Sequence, residues 1–469
     1  MKNTRSARIN QVKYTDKILT ASAGLLPFSL FLENSGLLTS SLKTLNFSKK
    51  SAKGQSFRSI LKQILCFMTV GKSNALSHFD FLGNDPGYAA VLEMNQNQLV
   101  SSHTVKRILR SMTSLLRHPD AQGDDHLHPF RNLLELLFRH MLRHRKPESV
   151  VISIDSMVLD NDLARKREGC APTYKKVTGF HPLHAVWDGL FIDAIFRPGN
   201  HHSNHKDQVS GMIRRITAVI QEELGKDVKI LFRMDSGYYD QKLMSCCEEL
   251  KVKYLISARD SGDHWEQAEE VAEDEWKIYD NGHQKWHYCS YDKKLSSWGQ
   301  ARTFYHLIPA FDKDEKMQQM MSFGRMVSLV VTNLEEADFA RLATEEEKHW
   351  QDVLIAVHHG RGADELVHRQ IKEFGGERMP FKRYEMNGVW YYLRILSSNC
   401  HQYFDEGILM KFKEAREYVS TTRRRLFCVA GQIVKKNGRR LDIQRQTGEM
   451  LNFREILDLC RKPELLIRS

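Results

Sequence analysis

The strongest constraint on the fold is the order of apolar runs between residues 149 and 257. Residues 149–154 (Ser-Val-Val-Ile-Ser-Ile) have the composition of a buried strand and run into Asp155. Residues 183–187 and 191–196 read as two further strands around the turn Asp188-Gly189. Residues 207–224 have helical periodicity, 228–232 form a strand running into Asp235, 241–250 a helix and 254–257 a strand. The crossover through 207–224 is long enough to make a parallel strand pair, and open α/β sheets place ligands at the carboxyl ends of their strands. Asp155 and Asp235 both fall at such ends.

Three strands, helix, strand, helix, strand is the order of an RNase H-like α/β fold. A further strand over 326–332 and a helix over 345–357 lead to His358-His359-Gly360-Arg361-Gly362-Ala363-Asp364-Glu365. On a helix, steps of four and seven residues return to one face, so Arg361, Glu365, Arg369 and Lys372 form one stripe, an acid embedded among three bases. A solvated salt-bridge ladder is the structural alternative for such a stripe.

The ends of the chain have a different character. Residues 56–70, 101–112 and 133–142 are amphipathic helical runs, with Lys106 and Arg107 on the polar side of the second, after a turn at Asp85-Pro86-Gly87. That arrangement suits a helix-turn-helix-like DNA reader or an all-α bundle. Residues 1–62 hold 11 Lys/Arg against 2 Asp/Glu, and 421–469 hold 12 against 5. In the tail, Arg423, Arg424, Arg425, Lys435, Lys436, Arg439 and Arg440 surround a predicted β-hairpin whose turn is Asn437-Gly438. Such density suits phosphate contacts. Residues 260–320 are acidic, with 13 acids against 7 bases, and their interleaved aromatics suggest a β-rich insert that stacks on a flipped base. No apolar stretch is long enough to span a membrane and no secretory leader is evident, so the chain is expected to be cytoplasmic. Eight scattered cysteines without paired spacing suggest reduced thiols. The cluster His201, His202, His205 would suit zinc, but it follows the turn Arg197-Pro198-Gly199-Asn200, where Asn200 suits DNA contact.

These blocks together resemble bacterial insertion-sequence transposases of the DDE superfamily, in the branch with an insert before the final acid that is related to the piggyBac group. The resemblance rests on Ile152-Ser153-Ile154-Asp155-Ser156, Thr178-Gly179-Phe180-His181-Pro182-Leu183, Arg197-Pro198-Gly199-Asn200 and Arg233-Met234-Asp235-Ser236-Gly237-Tyr238. It rests also on a Tyr-x2-Arg-x3-Glu-x6-Lys signature falling on His358, Arg361, Glu365 and Lys372, with histidine in place of tyrosine, followed by Asn387 and Asn399. The resemblance implies that Asp155, Asp235 and Glu365 are catalytic and hold two Mg2+ ions, with Mn2+ able to substitute. Oxygen ligands suit these hard cations, and a two-metal site activates the attacking oxygen and stabilises the leaving one. It implies DNA contacts by Arg361, Lys372, Arg369 and His358, binding of terminal inverted repeats, cleavage and strand transfer to target DNA, and a homodimer or higher oligomer in a synaptic complex. An RNase H-like nuclease without strand transfer and a non-catalytic DNA-binding derivative are the alternatives.

The expected organisation is a helical DNA-binding region over 1–145, an RNase H-like core over 146–259 and 334–420 interrupted by a β-rich insertion over 260–333, and a basic tail over 421–469.

Overall fold

The computed structural model describes residues 9, 11–49, 53–116, 128–259, 263–310, 328–339, 349–360, 362–435 and 438–467, with the backbone alone at 339 and 362–365. The chain divides into two compact units.

One unit is Met1–Leu38, Lys50–Ile108 and Phe404–Leu466, so segments from both ends of the sequence share a body. Strand Ile18–Thr20 pairs antiparallel with Gly431–Lys435, which pairs in turn with Arg439–Ile443, realising the hairpin expected in the tail. Helix Leu25–Asn34 packs on helix Phe453–Arg461, where the Asn34 amide donates to the Cys460 carbonyl at 3.0 Å. Phe28 lies edge-on to Phe404, centroids 5.4 Å apart. The expected helix at 56–70 is Phe57–Val70, started by the Ser56 hydroxyl accepting from the Ser59 N–H and ended at Gly71 with φ +62°. At Asp85-Pro86-Gly87 the expected turn begins a short helix, Pro86–Val91. Asp85 caps it and proline stands in its first turn, where the absent N–H has no intrahelical partner.

The second unit is Thr39–Lys49, Leu109–Tyr403 and Ile467–Ser469. Its strands are β1 Ser149–Ser156, β2 Leu183–Trp187, β3 Leu190–Ile195, β4 Lys229–Met234, β5 Lys253–Ser257, β6 Lys277–Asp280, β7 Lys285–Lys293, β8 Arg302–Ala310 and β9 Ser328–Thr332. They form one mixed sheet in the order β6-β7-β8-β9-β5-β4-β1-β2-β3. Strands β1, β4 and β5 are parallel, while β2 and β3 run antiparallel beyond β1. Helix α1 (Pro129–Arg145) packs on β3, α2 (Gln208–Leu224) makes the crossover between β3 and β4, and α3 (Gln241–Glu249) that between β4 and β5.

Strands β6 to β9 continue this sheet: β9 pairs antiparallel with β5, Val331 opposite Ile256. Their inward aromatics Tyr279, Tyr288 and Tyr305 pack with Val353, Leu354 and Ile355 of α4 (Trp350–His359). Trp298 is also buried, with the Arg302 guanidinium 4.7 Å from its ring centroid. Much of the aromatic content in this segment is therefore core rather than a stacking surface. Two more helices follow, α5 (Gly362–Ile371) and α6 (Tyr384–Gly407). Among the described residues no helix is long and apolar enough to cross a membrane, and all eight cysteines are free.

Candidate active site

Two carboxylates leave the sheet side by side. Ile154 and Met234 are register partners in the parallel pair β1–β4, so the next residues, Asp155 and Asp235, emerge from neighbouring strands about 4.8 Å apart. One oxygen of each is held locally: Asp155 Oδ1 accepts from the Ser156 N–H at 2.7 Å and Asp235 Oδ1 from the Gly237 N–H at 2.8 Å. A Cβ at Gly237 would stand 2.8 Å from Ser203 Oγ and 3.0 Å from Asp235 Oδ1, so a larger residue there would press on the acid itself. The other oxygen of Asp155 faces His368 Nδ1 of α5 at 3.6 Å, beyond hydrogen-bond distance.

That contact brings α5 to the acids. Glu365 lies on α5 one turn before His368, so the helix bearing the third expected acid approaches the end of β1. Two buried arginines fix the helix ends. Arg233, two residues before Asp235, donates to the Val357 carbonyl at 2.6 Å near the end of α4 and to Ser153 Oγ at 3.0 Å and 2.9 Å. Arg394, fully buried on α6, donates to the Ile371 carbonyl at the end of α5 at 3.2 Å. Cations at helix carboxyl ends are favoured by the helix dipole.

The expected charged stripe is only partly realised. Helix α4 ends at His359 and α5 covers Gly362–Ile371, which leaves Lys372 just past the helix, paired with Glu377. Arg369 is exposed on α5, and Arg361 lies outside the described residues. His358 is buried, its Nε2 hydrogen-bonded to Ser257 Oγ at 3.1 Å. In this structure it packs against the end of β5.

Behind the acids the site is lined with buried rings. His184 is the cross-strand partner of Asp155 on β2, and its Nε2 is hydrogen-bonded to the Tyr391 hydroxyl. Burial, and then the neighbouring His368, hold the pKa of His184 well below the usual histidine range. Burial, and then Lys372, push His368 down to about 4. Burial, and then the charge of Asp155, raise the Tyr238 phenol well above its ordinary value. Both histidine shifts favour the neutral imidazole beside Asp155.

The remaining sequence blocks have architectural reasons. Arg197 is buried and donates to the His181 carbonyl at 2.8 Å and the Ser203 carbonyl at 3.0 Å. A Cβ at Gly199 would lie 2.2 Å from the Gly179 carbonyl oxygen and 2.3 Å from that of Ala171, so only glycine fits between these strands. Asn387 pairs through both amide groups with the backbone of Phe381, and Asn399 likewise with Phe191. Asn200 is exposed beside this turn.

A family model described as Transposase DDE domain group 1 matches residues 3–459. The chain belongs to this DDE transposase family. Membership implies cleavage and transposition chemistry on DNA and the use of divalent metals. A solved structure, the piggyBac transposase synaptic complex with hairpin DNA, matches with a TM-score of 0.44 at 15% identity, over 86% of this chain and 79% of that one. A search of curated proteins finds no match.

The bases expected to bind DNA in this transposase differ in their surroundings, although Arg425, Arg439 and Arg440 are as exposed as Lys106, Arg107, Arg424 and Lys435. Lys106 and Arg107 on helix Ser102–Met112, and Arg424 and Lys435 in the tail, have exposed side chains. Others are engaged within the protein. Arg423 donates to the Thr69 carbonyl at 2.6 Å and the Met68 carbonyl at 3.1 Å, and a Cβ on Gly71 would meet its guanidinium at 2.4 Å. These bonds close the end of helix Phe57–Val70. Arg439 bonds to the Met94 carbonyl at 2.6 Å and Asn95 Oδ1 at 2.5 Å, Arg440 pairs with Asp442, and Arg425 pairs with Glu417. Lys436 lies outside the described residues. Missed in the sequence were His368, Tyr391 and Arg394, of which His368 left a signal there, one helical turn after Glu365, while His184 reads only as a neighbour of the histidine cluster.

Proposed function

We propose that the chain is a cut-and-paste DNA transposase with an RNase H-like core, in which Asp155, Asp235 and Glu365 are the catalytic acids. The observation that carries this reading is the pairing of Asp155 and Asp235 at the carboxyl ends of adjacent parallel strands, with α5 brought to Asp155 through His368.

The donors fit a divalent cation. Asp155 and Asp235 offer oxygen ligands, and each keeps one oxygen oriented by a backbone N–H. Among the described residues, which do not include the side chain of Glu365, no cluster of three metal-binding side chains forms. When bound, two Mg2+ ions would supply activation of the attacking oxygen and stabilisation of the leaving oxygen, with Mn2+ as a substitute. The protein's own part is orientation. Asp155 and Asp235 are set by β1 and β4, the helix of Glu365 is held by Arg394, and the buried rings of His184 and His368 pack behind the acids.

The substrates in this reading are terminal inverted repeats and target DNA, held by a homodimer or higher oligomer through Lys106, Arg107, Arg424, Lys435, Arg369, Lys372 and Asn200. The test is incubation with Mg2+ and a pre-cut transposon end bearing a free 3′-hydroxyl. Covalent joining to a target duplex supports transposition. Cleavage of uncut ends without any joining identifies a nuclease instead.

A further inference from the structure

The tip formed by Tyr174, Lys175 and Lys176 is assigned no role by the acids or by the basic ends. It connects the short strands Ala171–Pro172 and Thr178–Phe180, and it is pinned from both sides. The Thr173 N–H and hydroxyl donate to the Val177 carbonyl at 2.9 Å and 2.8 Å, the Lys176 N–H donates to the Thr173 carbonyl at 3.0 Å, and Asp162 Oδ1 accepts from the Thr178 N–H at 2.8 Å. Lys176 has a left-handed backbone, φ +60°, which tightens the turn. The backbone of the tip is thus held in one conformation.

What it holds is an exposed aromatic ring beside two exposed lysines. Tyr174 is 64% exposed, unlike Tyr279, Tyr288, Tyr305 and Trp298 in the sheet extension. Lys175 Nζ stands 5.7 Å from the Tyr174 ring centroid, and neither Lys175 nor Lys176 makes an ion pair among the described residues. The ring lies 5.2 Å from His181, two residues before Leu183, and Leu183 is the register partner of Ser156, next to Asp155. Tyr174 is also close enough for Asp155 and Asp235 to raise the pKa of its phenol, after the larger effect of burial. An exposed ring stacks on a nucleobase irrespective of sequence, and flanking lysines neutralise phosphates.

We propose that Tyr174 stacks on an unpaired base of the DNA strand entering the acid site, while Lys175 and Lys176 hold its phosphates. This rests on the reading of Asp155 and Asp235 as the site of DNA cleavage.

The experiment uses the full chain and a duplex with a single-stranded overhang carrying 2-aminopurine, whose fluorescence is quenched by stacking. Wild type is expected to quench it, Tyr174→Phe to retain quenching, and Tyr174→Ala to lose it with roughly tenfold weaker binding, within the range of one base–aromatic stack. Lys175→Ala and Lys176→Ala should each lower the slope of log affinity against log salt by about 0.7. With 5-iodouracil in the overhang, cross-linking should map to Tyr174. Tight binding with the same quenching and affinity in Tyr174→Ala overturns the proposal while leaving the wider functional reading intact. Failure of the wild type to bind the duplex overturns both. A cross-link that maps to another protein segment also overturns it.

Discussion

Asp155 and Asp235 are neighbours because Ile154 and Met234 face each other in the parallel pair β1–β4. The pairing depends on sheet register alone, so a one-residue slip of either strand would turn one carboxylate to the opposite face. The elements packed around this sheet contribute to stability in ways that can be measured.

One such element is an ion cluster at the far edge of the sheet. Asp193 of β3 is buried and accepts from Arg131 Nε and Nη2, each at 2.9 Å, and it also pairs with Arg215. Asp193→Ala strands two guanidinium groups, one of them buried, and should cost about 3–5 kcal/mol. Urea unfolding measures this. A loss under about 1 kcal/mol would show that the cluster does not hold α1 and α2 to β3.

Acid should loosen the protein through His181. Burial pushes its pKa down from 6.5 to about 4, with the Nδ1–H donating to the His201 carbonyl at 2.6 Å. Between these values the unfolded chain takes up a proton that the folded chain refuses. Stability is therefore complete above about pH 6.5 and falls as pH drops toward 4. His181→Asn should give a shallower fall in unfolding free energy between pH 7 and 4.5, and an identical fall would remove His181 as a cause.

The tail arginines should respond differently to substitution. Arg423→Ala removes bonds to the Met68 and Thr69 carbonyls and should cost about 1–3 kcal/mol in stability. Arg424→Ala, at an exposed position, should leave the melting temperature unchanged and reduce the slope of log DNA affinity against log salt by about 0.9. The reverse pattern would contradict the division between structural and DNA-facing bases.

Much of this arrangement was legible in the sequence. Strands 183–187 and 228–232 and helices 207–224 and 241–250 have strong local periodicity, and each appears within two residues of its expected bounds. What could not be read depends on pairing between distant segments. Nothing near Ile18 indicates that it pairs with Ile433, so head and tail appeared as separate regions. Nothing in the 260–333 stretch states that β9 pairs with β5, so the continuation of the sheet through its strands could not be read there. The positions of Asp155 and Asp235 at strand ends were legible, because strand ends are visible in the pattern. It was not legible in the rings behind them, since the approach of His368 to Asp155 spans more than two hundred residues. The charged stripe was misjudged because Gly360 separates α4 from α5 and the helix stops before Lys372.

The central claim is that Asp155 and Asp235 together form the cation-binding cleavage site. Asp235→Asn is the most direct measurement, because the amide can still accept from the Gly237 N–H while the negative charge is lost. The account predicts that Mg2+-dependent cleavage of transposon-end DNA falls to background while binding of the same DNA is retained. Cleavage at the wild-type rate by Asp235→Asn would contradict it.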